Sequence, residues 1–580
     1  MKSAQPLRRS LGSALFLLCG VFVCQTGCMP GGGSSVEVAQ GSTLVIELGG
    51  EYVEAPGPSF LARLAGDGSR PFLGLLSLFN LAERDDRIET VVLRIRPLAI
   101  GWGKADEIRS AVNRLNAKGR RTIAHIEVQG FSANKELYVA SAADEIFSTP
   151  GSSTPLVGLA AEYVFFGGLW EKLGVEFDVA RAGRYKSAVE IYTERTMSDD
   201  ARQMADSLLD DTYARFVEAL AAGRGLTLEQ VEAAIDSGPV RSQQLESLGL
   251  LDGEAHLDEL LARIDAPVVR HADYAAIDPS EVGFEARAEF ALIYGTGPVV
   301  QGESGGSPLV DEQAFASDTI SRSIMAAAED PEIAAILLRI DSPGGSALAS
   351  EIIWRAIQRA REEGKPVVVS MSDVAASGGY YVAAGADAIL ADPGTLTGSI
   401  GVFAIRPVVG GLFDKLGIGV DSLTRGRHAD SLLSSEKLSP AAYARLQTSV
   451  SDTYQLFLTR VAEGRGLAVE AVDEIAQGRV WTGAQALEIG LVDELGGLYA
   501  AARRAKLAAG LEPDADVYLV PYPRPGSLSQ QIADAFSSAS ARVARPAFEW
   551  PPPLDAIAEW ARWLPTDSPV LVPPMMIEIR

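Results

Sequence analysis

Cysteine is almost absent from this chain of 580 residues: Cys19, Cys24 and Cys28 are the only three, and none follows. That excludes structural disulfides, cysteine-ligated zinc or iron–sulfur sites and a cysteine nucleophile from the body of the protein. Histidine is nearly as scarce. His125, His256, His271 and His428 are too few and too scattered for a histidine-based metal centre. Basic residues are outnumbered, 51 Lys and Arg against 76 Asp and Glu, for a formal net charge of −25. Lacking a basic footprint, the chain is not a sequence-neutral nucleic-acid binder. The acidity itself names no partner. Apolar residues make up 47%, so material for a core is not among the things missing.

Behind Lys2, Arg8 and Arg9 runs the apolar stretch LGSALFLLCGVFVCQTGC (11–28), a secretory signal pattern rather short for a spanning helix. Gly27-Cys28 followed by MPGGGSS resembles a bacterial lipoprotein processing site, although Gln25 stands where an aliphatic residue is usual. On that reading 1–28 is a signal and lipoprotein segment with Cys28 lipidated, and 29–39 a flexible tether. An uncleaved signal anchor and ordinary signal cleavage are the alternatives. All three send the body across a membrane, and the first two keep it attached. Residues 511–580 form a C-terminal extension, proline-rich from 521, that reads as a strap or interface segment.

Between these ends the chain repeats itself with a period of roughly 242 residues. LWEKLGV (169–175) returns as LFDKLGI (412–418), and DTYARFVEALAAGRGL (211–226) as DTYQLFLTRVAEGRGL (452–467). Two related domains follow, 40–265 and 287–510, joined by a linker over 266–286. In each, short continuous apolar runs such as VVLRIR (91–96) and AAILLRI (334–340) alternate with helical stripes. Ile108, Val112 and Leu115 mark one stripe, Ile353, Ile357 and Ala360 the other. That pattern predicts α/β domains with a buried, largely parallel sheet.

The duplication allows an internal comparison at three places. After its strand the second half has Asp341-Ser342-Pro343-Gly344-Gly345, whereas the first has Arg96-Pro97-Leu98-Ala99-Ile100. Paired glycines there can aim backbone N–H groups at a developing oxyanion, or simply make a tight turn. The second half also has AASGGYYVA (375–383) against SANKELYVA (132–140), so Ser377 and Gly378 face Asn134 and Lys135. Ser377 is then accessible, with Gly378 offering a second N–H; Ser/Gly turns are common, however. Finally, RAGRYKSAVE (181–190) faces TRGRHADSLL (424–433), which puts Lys186 opposite Ala429. A lysine in one repeat and a serine with glycines in the other suggest a divided active site; a solvated surface lysine is the alternative.

A serine hydroxyl needs a base, and no histidine is grouped with Ser377. A lysine made neutral by burial can take the Ser377 proton during attack on an amide carbonyl and return it to the leaving amine. The N–H groups near Gly344 or Gly345, with that of Gly378, would stabilise the tetrahedral anion.

These residues resemble the long, duplicated form of the signal peptide peptidase A family, bacterial membrane-bound serine proteases of the S49 type. GRYKSAVE (183–190), RIDSPGG (339–345), AASGGYY (375–381) and LTGSIGVF (396–403) stand in the family's order, and the resemblance covers about 40–510. It implies a Ser/Lys dyad of Ser377 and Lys186, with Ser399 orienting the lysine. It implies domains like those of Clp protease and crotonase, no cofactor, no metal, and a homo-oligomer, by family a tetramer. The implied substrates are signal peptide remnants and other apolar peptides, met on the periplasmic side of the cell envelope. Many long-form relatives have a longer amino-terminal span. Met29 after Cys28 lacks the usual inner-membrane retention cue, so the membrane itself is not named.

Three other readings compete. Gly302-Glu303-Ser304-Gly305-Gly306 fits the GxSxG string of α/β hydrolases, but reads as a polar loop without the elbow that motif needs. A crotonase-like acyl-CoA enzyme would use the same N–H pair, without a serine–lysine pairing or export. A membrane-tethered, peptide-binding scaffold would fit the first domain's lost Ser/Gly set.

Overall fold

The computed structural model describes residues 37–55, 70–304, 314–524 and 570–571. The signal segment with Cys28 lies outside them, as do Gly305, Gly306 and most of the proline-rich extension.

The apolar runs of each repeat become a parallel sheet. In the first, Ser42–Val53, Ile88–Ala99, Arg121–Ile126 and Glu145–Ser148 lie side by side in that order. In the second, Ala286–Thr296, Ile333–Ser342, Val367–Ala376 and Ala388–Ala391 repeat it. Both faces of these strands are covered, which is why Leu337 to Ile340 and Val367 to Met371 are buried without alternation. Val268–Arg270 joins the first sheet beside Ser42–Val53, and Asp516–Tyr522 joins the second beside Ala286–Thr296. Those two strands fall in segments read from sequence as linker and extension. One is only three residues long, and the other has the strand-favouring run Val517 to Val520 but contains Pro521, which suits an edge strand.

The helices repeat as well. Trp102–Ala117 buries Ile108, Val112 and Leu115, and Ala347–Glu362 buries Ile353, Ile357 and Ala360, the stripes expected from periodicity. Two 26-residue helices, Asp199–Arg224 and Pro440–Arg465, start at serine caps and end at Gly225 and Gly466, each with φ of +64°. The protein is therefore an α/β molecule of two similar, duplicated domains. Among the described residues no helix is long and apolar enough to cross a membrane.

A third sheet couples the halves. Glu176–Ala182 of the first repeat runs antiparallel to Val402–Val408 of the second, Ala182 opposite Val402 and Glu176 opposite Val408. The chain leaving Ala182 therefore enters the second repeat, and Lys186 is four residues further on.

Candidate active site

Lys186 is placed by glycines. Gly183 turns the chain with φ of +104°, and a Cβ there would lie 2.6 Å from the Gln477 backbone. Tyr185 N–H donates to the Gln477 carbonyl at 2.8 Å. A Cβ on Gly478 would come within 2.6 Å of Lys186 N, so the lysine is threaded past a backbone only glycine can form.

Ser377 sits between the strand Val367–Ala376 and the helix Gly378–Ala383, with φ of +54° and ψ of −112°. A non-glycine residue in that conformation stores roughly 1–3 kcal/mol of strain. The surrounding bonds hold it: Ser377 N–H donates to the Gly398 carbonyl, and Tyr381 N–H to the Ser377 carbonyl, both at 2.8 Å. Ser399 is the second strained serine, with φ of +52°, fixed by its N–H to the Arg479 carbonyl at 2.7 Å.

The three side chains meet. Lys186 Nζ lies 2.7 Å from Ser377 Oγ, 3.0 Å from Ser399 Oγ and 2.8 Å from the Ser399 carbonyl oxygen. All three residues are 0% exposed. Burial alone pushes the Lys186 amine well below the usual lysine range, with no carboxylate to oppose it. A neutral amine has two N–H bonds and one lone pair. In that form, with its two N–H bonds on the acceptors of Ser399, Lys186 keeps its lone pair for the Ser377 O–H. Sequence reasoning found all three residues but not the Ser399 carbonyl, a backbone atom exposed to the lysine by the positive φ.

The glycines divide. Gly345 N and Gly378 lie side by side, since a Cβ on Gly378 would come within 3.0 Å of Gly345 N. Gly344, grouped with them from sequence, is otherwise engaged: its N–H donates to Ser342 Oγ at 3.2 Å, and its φ of +101° makes the turn. The rival Ser304 is on an exposed loop, its Oγ 3.5 Å from the Ala314 carbonyl.

The sequence of this α/β molecule has recognisable relatives. The profile of peptidase family S49 matches residues 118–268 and 359–512. The chain is 34% identical over 524 residues to the chloroplastic serine protease SPPA of Arabidopsis thaliana, covering 88% of this chain and 75% of that one. It is 31% identical to Protease 4 of Haemophilus influenzae over 470 residues, covering 75% and 72%. Protease 4 of Salmonella typhi is 31% identical over 513 residues, covering 82% and 80%. The chain belongs to peptidase family S49 and is a serine protease of the signal peptide peptidase type.

Proposed function

We propose that Ser377 is the nucleophile and Lys186 the general base of this peptidase. The observation that carries the reading is the 2.7 Å contact between Ser377 Oγ and a fully buried lysine amine. Ser377 Oγ attacks the peptide carbonyl carbon as Lys186 Nζ takes its proton. The oxyanion is met by the N–H groups of Gly345 and Gly378. Collapse expels the amine, which leaves with the proton from Lys186, and water then releases the acyl group with Lys186 again the base. Ser399 keeps the lysine's N–H bonds occupied so that its lone pair stays on Ser377.

A peptide substrate binds as an added strand. This is supported by Val570–Leu571 of the chain itself, whose backbone runs antiparallel both to Gly345–Ser346 and to Phe403. Apolar peptides, signal peptide remnants among them, are the substrate class, in domains of the Clp protease and crotonase type. The enzyme acts on the periplasmic side of the envelope, tethered through Cys28, a reading supported by the basic and apolar amino-terminal pattern. It works as a homo-oligomer, a tetramer by resemblance. In support, the second repeat's segment around 416–432 exposes Leu416, Ile418, Val420, Leu423 and Leu432. Its counterpart in the first repeat packs on the other half.

Cleavage of a peptide library, read by mass spectrometry, tests the function. Wild type should cut at small and apolar residues, and Lys186→Ala should cut nothing while remaining folded. Equal cleavage by Lys186→Ala, or a preference for charged residues, would contradict the reading.

A further inference from the structure

The first repeat sends a second lysine into the other half. Lys104 lies in the first turn of the helix Trp102–Ala117, at the place where the second repeat has the start of Ala347–Glu362 just after its paired glycines. It is only 4% exposed, yet its surroundings are the reverse of those of Lys186. Lys104 Nζ donates to Asp341 Oδ2 at 2.7 Å and to Asp373 Oδ2 at 2.8 Å, with Glu54 Oε1 at 3.1 Å. These carboxylates hold it well above the usual lysine range.

Both aspartates stand just ahead of chemistry. Asp341 lies in the strand Ile333–Ser342 that leads into Gly344-Gly345, and Asp373 lies four residues before Ser377. The pairing of these two strands breaks register here: Ile340 faces Met371, but Ser342 faces Ala375. Asp341 Oδ1 accepts the Val374 N–H of the bulge at 3.1 Å. Asp373 in turn caps the first repeat's helix, accepting Gly101 N–H at 3.1 Å and Lys104 N–H at 2.8 Å. The approach is so close that a Cβ on Gly101 would strike the Asp373 carboxyl at 2.3 Å, and one on Gly103 the Ser372 carbonyl at 2.7 Å. The Gly-Trp-Gly-Lys turn of the repeat without a nucleophile is thus a clamp on the strand that carries one.

We infer that Lys104 is a positioning residue for the peptidase reaction: by tying Asp341 to Asp373 it fixes the oxyanion turn of Gly345 relative to Ser377. The inference rests on the dyad reading above. Its test measures kcat, KM and the rate at which a small fluorophosphonate modifies Ser377, in Lys104→Met, Asp373→Asn and the control Arg224→Met. Arg224 is a half-buried ion-pair residue of the first repeat, bound to Asp252 at 2.8 Å, and neither of these two residues lies in the strands of Asp341 and Asp373. Lys104→Met and Asp373→Asn should lower kcat and the labelling rate together by at least about tenfold, with KM within about twofold. The pH midpoint of the reaction should stay in place, because Lys186 is untouched. Arg224→Met, assayed well below its melting temperature, should keep its kcat. If Lys104→Met does not fold, Asp373→Asn decides, since Lys104 then keeps two carboxylates. Wild-type kcat and labelling in the folded variants, a loss in KM alone, or the same loss in Arg224→Met would overturn the role. A wild-type enzyme unlabelled at Ser377 is a different result: it removes the dyad reading, and this one with it.

Discussion

Lys186 and Lys104 are both buried lysines donated by the first repeat, and their surroundings push their amines in opposite directions. Among the described residues the polar partners of Lys186 are a carbonyl and two hydroxyls, so desolvation wins and pushes the amine well below the usual lysine range. Around Lys104 three carboxylates outweigh the same desolvation. The protonated form of Lys186 has no lone pair for Ser377. The value of kcat/KM should therefore fall with pH through one ionisation lying well below the ordinary 10.5 of lysine. A profile flat down to the carboxylate range would contradict this. The stability sign follows from the same shift. Below about 10.5 the unfolded chain binds a proton that the native site does not, so native stability is lost as pH falls toward the folded-state value. Lys186→Met should consequently gain in melting temperature relative to wild type as the buffer is made more acidic. Of these residues, Lys186 and Ser377 were legible in the sequence because the duplication exposed them as mismatches. Lys104 was not: its two aspartate partners lie more than two hundred residues away, and ion pairs leave no periodic mark.

At the scale of elements, the parallel sheets and their helices could be read from continuous apolar runs and from stripes at helical spacing. The strand Glu176–Ala182 could not, because it alternates only weakly and finds its partner in the other repeat. That crossing pair carries Lys186 to Ser377, and glycines let it finish the journey. Gly478→Ala would put a Cβ 2.7 Å from the Lys186 Cβ, at a φ of +77°. The expected outcome is a folded protein whose kcat drops by about a hundredfold, since a displacement near 1 Å suffices for that. Circular dichroism with steady-state kinetics checks it, and an active Gly478→Ala would mean that the lysine's path is not fixed there. Strand addition beside Gly345 and Phe403 belongs to this scale too, and was invisible from sequence because proline-rich segments carry no strand signal.

For the whole molecule, duplication has divided one chemistry between two similar domains, and the pair that meets belongs to a single chain. Mixing Ser377→Ala subunits with Lys186→Ala subunits should therefore restore no activity under conditions where subunits exchange. Recovery near a quarter of wild type would place the dyad between chains instead. The first domain's lost serine and glycines are not decay of the molecule as a whole on the proposed reading, in which that domain supplies the base and the clamp. The most direct measurement is mass spectrometry of the protein after treatment with a fluorophosphonate. Wild type should carry the label on Ser377, Lys186→Met should acquire it at least about a thousandfold more slowly, and Ser377→Ala should stay unlabelled. Labelling of Lys186→Met at the wild-type rate, or attachment at Ser304, would contradict the account.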